Sequence, residues 1–147
     1  MYSYLTHLDD EYEYRRVFYE EYCKESITTH HNIKVKFYPK HFDHAFYCKS
    51  DRRNRYKDMF DSERAKRILW IKQVLQDDRI PIFQGHDTKS KKSSPKRRVS
   101  LLTPDGYVVV IRMTGEDKAE FLTAFVVNES NVIDKIRSNP IIYNPKV

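Results

Sequence analysis

The sequence predicts an α+β domain: helical patterns over about residues 1–78, an antiparallel meander of four strands over about 80–127, and a short tail over 128–147. Three observations carry this. DSERAKRILWIKQVLQDD (61–78) repeats apolar residues at helical spacing, β-rich runs follow Pro81, and two short turns divide those runs. At 147 residues the chain has the length of one ordinary domain.

Each element has its own signal. Residues 9–26 set Tyr12, Val17, Phe18, Tyr22 and Cys23 among charges, the pattern of a short amphipathic helix. NIKVKFY (32–38) alternates Ile33, Val35 and Phe37 with polar neighbours, a period of two that fits a strand or extended segment ending at Pro39. From Lys40 to about Lys49 a helical face returns, made of Phe42, Ala45 and Phe46. In the 61–78 helix, Asp61 or Ser62 is placed to cap the N-terminus and Glu63 sits at the positive end of the dipole. At ~100° per residue, Arg64, Ile68, Ile71 and Leu75 share one stripe, flanked by Arg67, Trp70 and Val74. IPIFQG, RRVSLLT, YVVVIRM and AEFLTAFVV are the four strands, with TPDG (103–106) and TGEDK (114–118) as turns. GHDTKSKKSSPK (85–96) reads as a polar basic loop, and a short helix is expected around Val132–Arg137 before NPIIYNP.

Lys and Arg number 27 against 21 Asp and Glu, a net charge of +6, which favours phosphate-rich partners. The excess is concentrated in residues 52–72 and 89–98, while the acidic residues gather in LDDEYEYRRVFYEEYCKE near the N-terminus. Cys23 and Cys48 form no CxxC pair, and no apolar run approaches the ~18 residues of a membrane span, so a reduced cytoplasmic setting is expected.

Two features bear on chemistry. KHFDHAFYCK sets His41 and His44 one helical turn apart, which suits an acid and a base, a pair of metal ligands, or two polar residues with no chemical task. HxDH matches neither the HExxH spacing nor a Cys-containing zinc pattern, even with His30 and His31 available elsewhere, so no metal is expected. Arg64 and Arg67 project toward the side the helix should bury, where they either snorkel along the apolar seam or bind phosphate.

HFDHAFYCK, KDMFDSERAKRILWIKQVL, RRVSLL, YVVVIR and KAEFLTAFVV together resemble the phage- and prophage-associated nuclease-like family called PBECR, over roughly residues 36–127. That family is grouped with barnase, EndoU, the colicin tRNA nucleases and the RelE toxins. The resemblance implies helices packed on a four-stranded antiparallel sheet and a cytoplasmic, toxin-like ribonuclease that needs no metal or cofactor. Its substrate would be RNA, with tRNA one class, and an immunity or host protein a further kind of partner. Residue by residue it implies His44 as acid or base, Arg64 and Arg67 on the scissile phosphate, Arg98 as a basic strand residue and Thr123 as a hydroxyl donor; in that chemistry His41, one turn away, is expected as the second proton-transfer group or a support. Arg98, Arg97, Lys66 and Lys49 are the expected substrate-binding cations. No residue here matches the catalytic glutamate of barnase. The alternative is a catalytically silent protein of the same fold that binds nucleic acid or a host protein as an accessory or inhibitor.

Overall fold

A computed structural model describes residues 1–51, 53, 55–85 and 98–145. The basic segment 86–97, which includes Arg97, lies outside the described residues, as does Arg52. The fold is α+β, with helices α1 (Glu11–Phe18), α2 (His41–Phe46), α3 (Ser62–Ala65), α4 (Trp70–Gln76) and α5 (Ser130–Ser138). Strands β1 (Ile27–Thr28), β2 (Lys34–Lys36), β5 (Ile82–Gln84), β6 (Arg98–Leu102), β7 (Tyr107–Met113), β8 (Lys118–Val126) and β9 (Ile141–Tyr143) form one sheet, while β3 (Tyr47–Cys48) and β4 (Met59–Phe60) form a separate pair.

The expected four-stranded antiparallel sheet is corrected by this topology. The sheet has seven strands in the order β1-β2-β8-β7-β6-β5-β9 and is mixed, because β2 pairs with β8 in parallel while the other pairs are antiparallel. The four expected strands are its middle. β2 reaches β8 by a long crossover, the only way a parallel neighbour is made. β9, in the NPIIYNP tail, adds to the free edge of β5. The sheet curls until Tyr143 of β9 meets His30, beside β1, at 4.7 Å between ring centroids.

The 61–78 helix is also interrupted. Asp61 caps α3 as expected, accepting from the Arg64 N–H at 3.2 Å. Between α3 and α4 the backbone bonds tighten to i→i−3: Arg67 to Arg64, Ile68 to Ala65 and Trp70 to Arg67. The cause is a side chain from another helix. The buried Tyr22 hydroxyl donates to the Ile68 carbonyl and accepts from the Lys72 N–H at 3.1 Å, occupying the place of one helical hydrogen bond. Tyr22 belongs to a π-helical turn, Tyr19–Cys23, that continues α1.

One face of the sheet carries the main core. Ile82, Val99, Leu101, Val109, Ile111, Phe121 and Ala124 pack there against α1, α2 and α4. Phe18 is its hub, with Tyr22, Phe37, Phe42, Phe46 and Phe121 at centroid distances of 5.6 to 6.1 Å where each meets it. Burying such a ring stabilises the fold by about 1.5–3 kcal/mol. The opposite face is only partly covered: Val132, Ile133 and Ile136 of α5 pack on Phe83, Leu102, Val108, Phe125 and Val127.

Two backbone devices set the far end of that second face. Gly85 approaches β6 so closely that an added Cβ would lie 2.6 Å from the Arg98 carbonyl oxygen, which its own N–H binds. On β8 the pairing shifts between Val110↔Thr123 and Ile111↔Phe121, so Leu122 is the extra residue of a bulge that returns Ala124 to the core and leaves Thr123 on the second face. Among the described residues, no helix is long and apolar enough to cross a membrane.

Candidate functional site

Strand register defines what the second face offers. Arg98, Arg112 and Glu120 lie side by side across β6, β7 and β8, followed by the row Ser100, Val110 and Thr123 and then by Leu102, Val108 and Phe125. α5 covers the last row, where the apolar residues are. The first row is charged, with Glu120 ion-paired to Arg112, and the second sets Ser100 and Thr123 on either side of Val110. The Thr123 hydroxyl and Arg112 Nε are buried with no hydrogen-bond partner among the described residues, a costly condition that a ligand would relieve.

The two histidines of α2 have separate fates. His41 is 6% exposed, its Nδ1 accepts the Tyr38 N–H at 3.0 Å, and its ring stands edge-on to Phe121. Burial, then Lys40, His44 and Arg112, lower its pKa to about 4. It is a neutral core residue that shapes the turn into α2, and the second proton-transfer role expected of it does not fit this burial. Asp43, between the two histidines in sequence, pairs with Arg15.

His44 is exposed on the other side of α2. The Lys57 ammonium donates to the His44 carbonyl at 2.8 Å, and the Arg64 guanidinium donates to the Ala45 carbonyl at 3.4 Å, so two cations are held at the end of the same short helix. Partial desolvation, then the charges of Lys57, Arg98 and Arg64, hold the His44 pKa below the ordinary imidazole value. Lys57 is itself lowered, by burial and then by Arg64, with Lys49 contributing in the same direction. An imidazole and four cations thus share one region.

Arg64 also lines a cleft of about 420 Å³ with Asp61, Glu63, Arg67, Tyr107, Phe125, Val126 and Asn128. Its guanidinium carbon lies 5.1 Å from the Phe125 ring centroid, and its Nε is 3.5 Å from Asp61. Arg67 donates to the Glu63 carbonyl at 2.6 Å and lies 5.2 Å from the Trp70 ring, while its Nε is buried with no partner among the described residues. Both stems cover apolar surface, and both heads face the cleft or its rim.

Of the residues singled out in the sequence, the structure places His44, Arg64, Arg98 and Lys49 in one region, with Thr123 on the same sheet face as Arg98. Lys66 is bound to Glu63 at 2.8 Å, its carbonyl holds the Thr6 N–H, and it does not line the cleft. Lys57 and Phe125 were missed. Lys57 sits in the basic run before β4, where nothing in the sequence distinguishes it from Arg53 or Arg55; the β3–β4 pair is what returns it to α2. The chain matches no protein-family model, no curated protein and no solved structure.

Proposed function

We propose that this chain is a metal-independent ribonuclease of the phage-associated kind its sequence resembles, with His44 as general base. The observation that carries the reading is the neutral-leaning imidazole of His44 among Lys57, Arg64 and Arg98. A base needs a vacant lone pair at working pH, and a phosphodiester needs fixed positive charge as its transition state gains negative charge. His44 takes the proton of a ribose 2′-hydroxyl, whose oxygen bonds to phosphorus. The bond from phosphorus to the 5′ oxygen breaks, and that oxygen takes a proton from the Lys57 ammonium, leaving a 2′,3′-cyclic phosphate. Solvent water then carries the proton from the His44 imidazolium to the Lys57 amine, which restores both groups. Arg64 and Arg98 hold the non-bridging oxygens, for which the guanidinium fork is suited, and Thr123 donates to one of them.

A second reading is favoured by a specific feature. Glu120, the carboxylate in the row with Arg98 and Arg112, is occupied by Arg112, and His41 is sequestered in the core. A protein with this cleft and an incomplete acid–base pair would bind nucleic acid, or a host protein, without cutting.

Incubating RNA with the protein in chelator separates the two. The ribonuclease reading expects cyclic-phosphate ends, with His44→Ala lowering the rate by about 10²–10⁴ while circular dichroism stays unchanged. Salt-dependent RNA binding by the wild type with no cleavage would support the silent binder instead.

A further inference from the structure

The loop between β3 and β4 carries a feature that the cleavage chemistry does not use. Its base is fixed: the Ser50 N–H and hydroxyl both donate to Asp58, at 2.8 and 2.7 Å, and the Asp58 N–H donates to the Cys48 carbonyl at 3.0 Å. Lys57 ties the same segment to the His44 carbonyl. The adjacent Tyr56 is 72% exposed, with the Arg55 guanidinium carbon 5.7 Å from its ring centroid. The Arg53 side chain is 94% exposed. A large aromatic ring in water, beside cations and one Cα step (about 3.8 Å) from a lysine bound at His44, is positioned for a polyanion that has rings of its own.

Exposure alone would not single out this residue. Tyr12 and Tyr19 are 73% and 51% exposed, yet they lie among Glu11, Glu13, Glu20 and Glu21, where a phosphate chain is repelled. Among these three tyrosines only Tyr56 stands in a basic segment.

We propose that Tyr56 is a stacking platform for an unpaired base of single-stranded RNA, next to the linkage that faces His44, with Arg53 and Arg55 on the flanking phosphates. In a duplex both faces of each base are already stacked, so the platform favours single strands. The inference takes the identity of the polymer from the ribonuclease reading, but it concerns binding and is tested without cleavage.

The probe is a labelled 2′-O-methyl oligoribonucleotide, which lacks the attacking hydroxyl, presented as a single strand or as a duplex. Fluorescence anisotropy should show Tyr56→Ala weakening single-strand binding by roughly tenfold or more, with Tyr56→Phe and Tyr12→Ala unchanged and the salt slope preserved. Duplex affinity should be indifferent to Tyr56→Ala. Single-strand affinity within twofold of wild type, an equal loss on the duplex, or no binding to either probe would overturn the proposal. Tyr56-dependent binding by a protein that never cleaves RNA would remove the ribonuclease reading and leave this one standing.

Discussion

Substituting His41 by Asn separates the structural histidine from the functional one. Asn Oδ1 can accept the Tyr38 N–H in place of the imidazole Nδ1, and the new side chain does not titrate. In the folded protein the His41 pKa falls to about 4, against an ordinary value near 6.5. At 1.36 kcal/mol for each tenfold change in proton affinity, protonation of His41 destabilises the folded state by about 3 kcal/mol once the pH is below 4. The sign follows from which state binds the proton better. Above pH 6.5 His41 is neutral in both states and costs nothing; as the pH falls, the unfolded chain takes the proton first and stability drops, with about 2 kcal/mol gone by pH 5. His44 and His30, both lowered as well, add to the loss over the same direction of pH. Urea unfolding at pH 7.5 and pH 5 measures the effect in wild type and His41→Asn. Packing lost with the ring is present at both pH values and cancels in the difference. The variant should lose about 2 kcal/mol less than wild type between those pH values. Equal losses in the two proteins would mean that His41 is not held neutral by burial, and the assignment of its role would fall.

Two further substitutions test the framework. Tyr22→Phe removes the hydroxyl that bridges Ile68 and Lys72 and should cost about 1–3 kcal/mol in denaturant unfolding; no loss would mean that the two backbone groups re-form an ordinary helical bond without penalty. Gly85→Ala would drive a methyl group against the Arg98 backbone and should destabilise the protein by at least about 1–3 kcal/mol, while weakening RNA binding through displacement of Arg98; an unchanged midpoint and affinity would refute the close contact.

Local patterns located most of the elements. YVVVIRM is β7 residue for residue, AEFLTAFVV gives β8 to within one position at each end, Asp61 caps as expected, and the tail helix around Val132–Arg137 lies inside α5. What was not legible depends on contacts distant in the chain. Nothing between residues 66 and 69 breaks a helix by propensity; the break comes from a tyrosine hydroxyl arriving from Tyr22. The period-two run 32–38 contains β2, but its parallel pairing with β8 and the β9 edge are long-range choices among unpaired backbone groups that the local pattern does not announce. The two histidines were separable in principle. Around the face set by Phe42, Ala45 and Phe46, His41 lies about 90° from the centre and His44 about 150°, so the wheel already places His44 farther from the core. That Arg64 would reach α2 was open, because the sequence placed it on a stripe without saying what the stripe meets.

In the proposed ribonuclease a phosphodiester lies against His44 between Lys57, Arg64 and Arg98. Following the His44 imidazole by NMR through a pH titration, alone and with a bound 2′-O-methyl dinucleotide, tests it directly. The predicted result is a pKa below 6.5 in the free protein that rises when the phosphate partly cancels the surrounding cations. An ordinary pKa that the dinucleotide leaves unmoved would contradict it.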